Sequence, residues 1–573
     1  MRTNAKARPL RAALLLSLAL GGAAGCLIVA PLDPLPEAVG GMTTAGKSPG
    51  GQSAGGSSSG NGPTGGTAPS AAGEGASAGQ SNPNGECHDT DDCKQPSANK
   101  PYFCRPSDHR CVALTSDTCP LYYGKATDPN AIYFGSFATL NPSAPADSSV
   151  IWAERLALDE LSGSDVGGLL GGPNGSRRPL VMIVCNNDDG VWQQSVSHLV
   201  EDVQVPAMIA NLQPNDLRQA FEMPGSYHPF FLSPVAVTNT VVNLVDDGLI
   251  WNLLGQPSDL APTYTELLKL AEKRLRMDRK LLDTDQLKVA LVSTNAAFDS
   301  DLTDAVEPLL RFNGDKTAQG NGDNYSFIKL DAADPQLPQT ADDIIGFGPD
   351  IVISTASTLF SKDHGLLQII EENWPGEDQP PPFYILSPDN DADVDRIIQL
   401  LNDRIKYANE THPELRFVGV SVAGARDNTL QNIYAGHLLG SFKNAYYDTA
   451  NYYDAVYYLA YAMAGAGTDS ALSGPSIAKG MQRLLSGESY DIGTGGIDAV
   501  FKALSRPGTT VHIASTLGPP DFDAATGVRP VEGGVFCFKK VNLTVQKAND
   551  VLRYDRDQAA LIGNFPCFSG FYP

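Results

Sequence analysis

Five consecutive segments decide the fold: AIYFGSF (131–137), SVIWAERLALDEL (149–161), RPLVMIVCNNDDG (178–190), WQQSVSHLVEDV (192–203) and VPAMIANLQPN (205–215). The first, third and fifth are apolar runs of strand length without polar alternation. The other two have apolar residues close to helical spacing. This order, with unalternated strands, predicts a parallel sheet that is covered on both faces. Such sheets bind ligands at the carboxyl ends of their strands.

The same alternation returns further along the chain. An amphipathic helix at 263–282 is followed by apolar runs at 287–301, 326–330, 350–357 and 381–391, with helical segments between them. A second doubly wound parallel sheet is therefore expected. With 573 residues, the chain is also too long for a single ordinary core.

The N-terminus has the composition of an export leader. Its basic residues are Arg2, Lys6, Arg8 and Arg11. The apolar run that follows, AALLLSLAL (12–20), is too short to span a bilayer, and small residues then lead to Cys26. We therefore predict that residues 1–25 are a signal peptide and that the mature protein is exported.

The residues around Cys26 resemble a bacterial lipobox, in which the cysteine receives lipid and becomes the mature N-terminus. Ala23 stands where Leu is usual, and secretion after Ala24 or Gly25 without lipid is the alternative. The resemblance implies a lipid anchor in the bacterial cell envelope, in the periplasm or on the outer membrane. Leu27, rather than Asp, follows the cysteine, which favours the outer membrane.

Residues 26–86 are dominated by Gly, Ser, Ala, Pro and Thr, as in GGQSAGGSSSGNGPTGG (50–66). They cannot bury enough apolar surface to fold, so a flexible tether is expected. Residues 87–118 are predicted to form a small Cys-rich module. Without Cys26, eight cysteines remain, an even number that suits disulfides in an oxidising compartment. They are Cys87, Cys93, Cys104, Cys111, Cys119, Cys185, Cys537 and Cys567.

A zinc site is the alternative for the Cys-rich module, with His88 and His109 as further ligands. The paired C-x₂-C spacing of structural zinc sites is absent, so disulfides are preferred, with open connectivity. The formal charge is −24, and loss of the leader would take it to −28. Nucleic acid is therefore not an expected partner, because phosphate binding needs clustered Lys and Arg.

Five segments carry a resemblance to a family: GSFATLNPS (135–143), AERLALDEL (153–161), VPAMIAN (205–211), YDAVYYLAYAM (453–463) and GPPDFDAATG (518–527). In this order they resemble the type I periplasmic solute-binding proteins, typified by the Leu/Ile/Val-binding receptors of ABC importers. The resemblance implies two doubly wound α/β lobes joined by three crossovers, which close about a ligand. It assigns residues 119–254 and 422–518 to lobe 1, and residues 255–421 and 519–573 to lobe 2.

The resemblance also implies a binding site between the lobes. In the family, loops of lobe 1 hold an α-carboxylate, and an acidic residue of lobe 2 receives the α-ammonium. The matching positions here are Thr139, Asn141, Gln213, Asn215, Ser233, Thr238, Phe298, Ser357 and Asp389, of which Asp389 is the acidic one. One departure is Pro214, because a Ser- or Thr-rich loop is usual there and proline has no N–H. The amide of Gln213 or Asn215 could substitute.

The sequence gives little support for an enzymatic function. GVSVAG (419–424) approaches a nucleophile elbow but has Ala423 at the final Gly position. Alternating aspartates from Asp389 to Asp395 resemble a calcium loop, yet Val394 and Leu400 stand where Gly and Glu are required. A helix N-terminus is the preferred interpretation of these aspartates. We expect neither catalysis nor a metal or other cofactor.

The sequence thus predicts a lipid-anchored, monomeric, exported protein that binds a small solute, with an amino acid or similar zwitterion as the leading ligand. The expected partner is an ABC permease. The alternative is a sensory or surface-interaction lipoprotein that kept the scaffold without amino-acid transport.

Overall fold

The fold was analysed in a computed structural model. It describes residues 86–93, 101–141, 143–144, 146, 148–163, 166–172, 176–223, 228–333, 335–356, 358–362, 364–376, 379–388, 394–407, 412–423, 428–442, 449–467, 471–542, 544–564 and 567. The predictions for the leader, Cys26 and nearly all of the tether lie outside these residues. Within them, no helix has both the length and the apolar composition needed to cross a membrane.

The Cys-rich region is a small antiparallel hairpin held by two disulfides. Strands β1 (Tyr102–Arg105) and β2 (Arg110–Ala113) pair directly. The disulfides join Cys87 to Cys104 and Cys93 to Cys111, which gives the connectivity that the sequence left open. These sulfurs are therefore bonded to one another and do not act as zinc ligands.

The hairpin packs firmly against lobe 1. The ring of Phe103 lies 4.5 Å from the ring of Tyr133, measured between centroids. The guanidinium of Arg105 donates to the backbone oxygen of Asp202 over 2.5 Å. Since Phe103 belongs to the apolar core on that face of lobe 1, the module is an integral part of the lobe.

Lobe 1 contains a six-stranded sheet of order β3-β5-β4-β6-β7-β8, in which only β3 is antiparallel to its neighbour. The strands are β3 (Leu121–Tyr123), β4 (Ile132–Ala138), β5 (Leu180–Asn186), β6 (Ala207–Ile209), β7 (Phe230–Ser233) and β8 (Ile250–Asn252). The helices are α1 (Ser149–Ser162), α2 (Trp192–Ser197, continued by a π-helical turn, His198–Val203), α3 (Pro214–Glu222) and α4 (Asn239–Val242). The alternating order predicted from the sequence is confirmed.

Both faces of this sheet are covered, which explains its unalternated strands. Along β5, Leu180, Met182 and Val184 join the apolar cluster that includes α1. The intervening residues from Val181 to Cys185 join the cluster that includes α2. A third disulfide, from Cys119 to Cys185, fastens the segment before β3 to the end of β5.

Lobe 2 begins with a long helix and a second α/β sheet. Its elements are α5 (Ala261–Asp278), β9 (Val289–Thr294), α6 (Ala297–Val306), β10 (Arg311–Phe312), β11 (Lys316–Thr317), β12 (Tyr325–Leu330), α7 (Leu337–Phe347), β13 (Ile351–Ser354), α8 (Thr358–Ser361), α9 (Leu366–Asn373), β14 (Phe383–Leu386), α10 (Val394–Tyr407) and β15 (Phe417–Val422). Strands β12, β9, β13, β14 and β15 are parallel in that order, as predicted.

The chain then returns to lobe 1 and ends in lobe 2. The returning elements are α11 (Thr429–Ser441), α12 (Ala450–Ala466), α13 (Gly474–Gln482), β16 (Glu488–Asp491), α14 (Ile497–Leu504) and β17 (Val511–Ala514). The last three strands, β18 (Gly533–Val541), β19 (Thr544–Asp555) and β20 (Ala560–Gly563), extend the lobe 2 sheet in antiparallel fashion. A fourth disulfide joins Cys537 to Cys567.

Three segments connect the lobes: between β8 and α5, between β15 and α11, and between β17 and β18. We call these segments the hinge. Two α/β lobes with three crossovers are the architecture predicted from the sequence. The antiparallel extension β18–β20 is an addition that the predicted parallel sheet did not include.

Helix α12 is buried on every side and is rich in tyrosine. Close packing with α13 depends on Gly480, where a Cβ atom would lie 1.9 Å from the backbone oxygen of Ala462. The hydroxyls of Tyr453 and Tyr457 each donate to Glu160 of α1 over 2.5 Å. The buried phenols thus join α12 to α1 and fix the position of the α12 N-terminus.

Candidate functional site

A chain of hydrogen-bonded polar side chains runs along the carboxyl edge of the lobe 1 sheet. The Thr139 hydroxyl, after β4, donates to Asn187 Oδ1 over 3.0 Å. Asn187, after β5, donates through Nδ2 to the backbone oxygen of Asn211 over 2.9 Å. The Tyr452 hydroxyl, from the first turn of α12, donates to Asn211 Oδ1 over 3.2 Å. Burial raises the pKa of Tyr452, so its hydroxyl remains a donor at neutral pH.

The loop after β7 is held at the same edge by three side chains. Ser233 donates its hydroxyl to the backbone oxygen of Val235 over 3.1 Å, and the Asn252 side-chain amide donates to that same oxygen. Asn451 of α12 donates to the backbone oxygen of Pro234 over 2.7 Å. This loop is therefore fixed from β7, β8 and α12.

The loop ends where the two lobes touch. Thr238 is fully buried, and its Oγ1 has no hydrogen-bond partner among the described residues. The next residue, Asn239, donates its backbone N–H to Asp301 of α6 in lobe 2 over 2.7 Å. A lobe 2 carboxylate thus caps the first turn of α4 in lobe 1.

The facing edge of lobe 2 is built from buried hydroxyl groups. Ser293 and Thr303 lie 2.6 Å apart between their hydroxyl oxygens, and Thr303 lies 2.6 Å from Thr355 in the same way. The Thr294 hydroxyl donates to the buried carboxylate of Asp299 in the first turn of α6. These contacts join the ends of β9 and β13 to α6 and make this edge rigid.

A buried carboxyl group lies under the lobe 1 edge. Glu154 of α1 is fully buried and accepts a 2.7 Å hydrogen bond from the Ser136 hydroxyl at Oε1. Its Oε2 has no partner in the part of the chain that is described. Burial raises the pKa of Glu154 to about 8, although the Ser136 hydrogen bond opposes the shift. The group is therefore mainly protonated at neutral pH.

Asp454 of α12 fixes the third hinge segment. Its carboxylate accepts the backbone N–H groups of Thr516 and Leu517, each over 3.2 Å. Burial raises the pKa of Asp454 to about 6. Asn428, at the start of α11, donates to the backbone oxygens of Ser515 and Thr516 over 2.7 and 2.8 Å. The second and third hinge segments are thereby joined.

The first and third hinge segments are joined through the end of β8. Asn252 donates its backbone N–H to Gly527 over 2.9 Å and accepts the backbone N–H of Arg529 over 3.0 Å. The buried Arg529 guanidinium also donates to the backbone oxygen of Pro519 over 3.1 Å. All three hinge segments therefore form one hydrogen-bonded unit beside the polar edge.

The structure brings most of the residues selected from the sequence to the two facing edges. Thr139, Asn141, Gln213, Asn215, Ser233 and Thr238 lie at the lobe 1 edge, and the half-buried Phe298 lies in the first turn of α6. Ser357 and Asp389 lie outside the described residues. The Ser233 hydroxyl is committed to the backbone of its own loop, and Asn141 Oδ1 accepts the Ser143 N–H over 2.9 Å.

Sequence reasoning missed several residues that the edge places together. Asn187, Asn211 and Tyr452 belong to the hydrogen-bonded chain, and Asp301 bridges the lobes. Their positions directly after β5, after β6 and at the start of α12 could have indicated the first three. Asp301 lies within a helix, and nothing in its local sequence indicates a contact with the other lobe.

Two small cavities lie in lobe 1, at different ends of its sheet. One, of about 20 Å³, is lined by Val237, Asn252 and Thr526 among others, next to the hinge. The other, of about 10 Å³, lies near the π-helical turn and α3, with Val200 and Phe221 in its wall. Each has room for about one water molecule.

No family model matches the sequence, and no curated protein matches it either. Solved structures do match. A substrate-binding protein of an ABC transporter from Desulfitobacterium hafniense, in complex with Leu, is 14% identical over 73% of this chain and 100% of its own, with a TM-score of 0.45. A solute-binding protein of an ABC transporter from Rhodopseudomonas palustris BisB5, in complex with 3,4-dihydroxybenzoic acid, is 12% identical over 74% and 98%, with a TM-score of 0.48.

A leucine-binding protein from Thermotoga maritima MSB8 is 11% identical over 76% of this chain and 99% of its own, with a TM-score of 0.48. At these identities the likeness concerns the fold. These structures belong to the class of protein whose motifs the sequence resembles.

Proposed function

We propose that this protein is an exported receptor that captures a small polar solute between its lobes and delivers it to an ABC transporter. The observation that carries the proposal is the position of the polar edge. Thr139, Asn187, Asn211 and Tyr452 line the carboxyl ends of the lobe 1 strands, and the edge of lobe 2 meets the same side at Asp301. A hinge of three segments joins the lobes and allows them to close on a ligand.

An amino acid or related zwitterion is the proposed ligand. In this proposal Thr139, Asn141, Gln213, Asn215 and Thr238 contact it from lobe 1. Phe298 and Ser357 contact it from lobe 2, where Asp389 receives its ammonium group. Side-chain amides at Gln213 and Asn215 replace the hydroxyl-rich loop of the family, because Pro214 begins α3 without an N–H to donate.

A lipid on Cys26 is the proposed anchor to the cell envelope. Labelled fatty acid should enter the wild-type protein in a bacterial host and should not enter Cys26→Ala. Labelling of the variant at the wild-type level would contradict the anchor.

A second candidate function is a sensory or surface-interaction role for the same scaffold. The packing of the Cys-rich module favours it. Phe103 and Arg105 fix the hairpin on lobe 1, so that the module presents a rigid exposed surface formed by residues such as Asp108 and Arg110. In this role a partner protein would contact the module, and the interlobe site would need no transport permease.

Thermal unfolding of the purified protein, screened against amino acids, small peptides and sugars, tests the proposal. A ligand at about a hundred times its Kd adds roughly 2.7 kcal/mol to the free energy of unfolding, which raises the melting temperature measurably. The shift should be selective for one amino-acid class, absent in Asp389→Ala and retained in Asp342→Ala, a control on the exposed side of α7. A well-folded protein without a shift in the whole panel would favour the second candidate function.

A further inference from the structure

We propose that His437 of α11 and Glu160 of α1 form a pH-dependent latch between the hinge and the polar edge of lobe 1. Protonated His437 holds α11 against α1, and loss of that proton loosens the contact. The latch belongs to the scaffold, so it acts whatever solute the lobes enclose.

Glu160 is the point at which three helices of lobe 1 meet. Its Oε1 lies 3.1 Å from Nδ1 of His437, and its Oε2 accepts hydrogen bonds from the hydroxyls of Tyr453 and Tyr457 over 2.5 Å each. These tyrosines follow Tyr452 of the polar edge along α12. The side chain of Glu160 is 8% exposed, whereas that of His437 is 46% exposed. Solvent therefore has access to the imidazole, while the carboxylate is largely shielded.

The contact is strongest when the imidazole is charged. A carboxylate only accepts hydrogen bonds, so His437 must present an N–H at Nδ1, and the bond gains from opposite charges when the ring is protonated. The hydrogen bond with Glu160 raises the pKa of His437, and partial burial opposes the shift. The stabilisation is therefore fully present below the ordinary pKa of 6.5 and is lost as pH rises through the raised pKa.

The other charged groups around this contact change little above neutral pH. Helix α11 itself, Thr429–Ser441, contains no Asp, Glu, Lys or Arg. On α1, Arg155 lies over aromatic rings, and burial raises the pKa of Asp159 to about 6. On α12, burial raises the pKa of Tyr453 and of Tyr457 far above neutral pH. Among the described residues of these three helices, His437 is therefore the group at the contact whose charge changes above about pH 6.5.

Helix α11 connects the contact to the hinge, because the helix follows the second hinge segment directly. Asn428, at its N-terminus, donates to the backbone oxygens of Ser515 and Thr516 in the third hinge segment over 2.7 and 2.8 Å. Within α11, Tyr434 and Leu438 are the only fully buried residues. A helix with so little buried surface opens at low cost, so its polar contacts contribute much of its attachment. Loosening at His437 should therefore reach Asn428 and the hinge.

Hydrogen exchange of the purified full chain, followed by mass spectrometry, tests the latch. Protection factors, which remove the intrinsic pH dependence of exchange, are compared at about pH 5.5 and about pH 8. In the wild type, protection of α11 and of Thr516 should fall roughly twofold to fivefold more than in His437→Gln, which keeps a donor for Glu160 but does not titrate. Glu154 and Asp159 titrate in both proteins, so the difference isolates His437.

The matched control is His412→Gln. His412 pairs with Glu414 in lobe 2 over 3.0 Å through a side chain that is also well exposed, and this variant should keep the wild-type pH dependence of α11. Equal pH dependence of α11 protection in the wild type and in His437→Gln would overturn the latch. A difference confined to α11, with Thr516 unaffected, would overturn its connection to the hinge.

Discussion

The carboxylate of Asp301 in lobe 2 accepts the backbone N–H of Asn239 in lobe 1 over 2.7 Å. This contact caps α4 from the opposite lobe and lies directly beside the buried Thr238. This charge-assisted hydrogen bond stabilises the arrangement of the lobes seen here, and moving the lobes apart would break it.

Asp301→Asn should shift the lobes toward the open arrangement without removing a ligand contact. The loss of one charge-assisted hydrogen bond is worth about 1 kcal/mol, so the affinity for a bound solute should fall roughly fivefold. Calorimetry measures the affinity, and small-angle scattering measures the radius of gyration, which should increase. Asp304→Asn, one turn along the same helix and exposed, is the matched control. Unchanged affinity and unchanged scattering in Asp301→Asn would contradict this role.

Asp454→Asn should loosen the third hinge segment. The carboxylate binds the N–H groups of Thr516 and Leu517 in a fully buried position, and an amide has only one oxygen to replace it. A buried N–H that loses its acceptor costs about 1–3 kcal/mol, so hydrogen exchange at these two amides should accelerate roughly tenfold or more. Mass spectrometry of the segment measures the exchange.

The control for that experiment is Asp523→Asn. Asp523 caps an exposed turn through the N–H of Ala525 over 2.9 Å, outside the clamp formed by Asp454. Exchange at Thr516 and Leu517 should stay at the wild-type rate in this control. Equal acceleration in both variants would show that the effect is not specific to the Asp454 clamp.

Much of the fold could be predicted because it follows from hydrophobic patterns within short segments of the sequence. Runs such as LVMIVCN in β5 are apolar at every position, since α1 and α2 cover the two faces, and that pattern is visible in the sequence. The antiparallel extension β18–β20 was not predicted, because pairing with β15 depends on a chain segment more than a hundred residues away. Disulfide connectivity likewise depends on how distant strands pair. Leu121 of β3 lies opposite Val184 of β5, and this pairing places Cys119 beside Cys185.

The site was less predictable than the fold. The family resemblance indicated Thr139 and Thr238, which lie in loops that follow parallel strands and therefore meet at one edge. Partners such as Tyr452 and Asp301 come from helices that the tertiary structure delivers to that edge, and helical spacing alone does not show which residue will arrive there.

Loss of the Cys119–Cys185 disulfide should lower the free energy of unfolding more than loss of the Cys87–Cys104 disulfide does. The first closes a loop of 66 residues and is worth roughly 4 kcal/mol by loop entropy. The second, with a separation of 17 residues, lies within the small hairpin. The same relation gives roughly 3 kcal/mol for this shorter loop. Paired Cys→Ala variants, compared by calorimetric melting, should therefore both melt at lower temperature, with the larger fall for the first pair. Equal falls would mean that the hairpin supports lobe 1 as strongly as that disulfide does.

Glu154 should make the stability of lobe 1 depend on pH in a specific direction. Burial raises its pKa from an ordinary value of 4.5 to about 8, so the folded state holds this proton more tightly than the unfolded state. Its contribution to stability is therefore fully present below about pH 4.5 and decreases as pH rises to about 8, by on the order of 5 kcal/mol in total.

Glu154→Gln keeps an acceptor for Ser136 and removes the titration, so the variant should melt roughly 5–10 °C above wild type at pH 8.5 and close to it at pH 4.5. Asp159 and Asp454, whose pKa values burial also raises, titrate in both proteins, so the difference between the two melting curves isolates Glu154.

Glu222→Gln, at an exposed pair with Arg218, is the control and should follow the wild-type profile of melting temperature against pH. Parallel profiles for wild type and Glu154→Gln from pH 4.5 to 8.5 would show that Glu154 is not the buried proton-binding group.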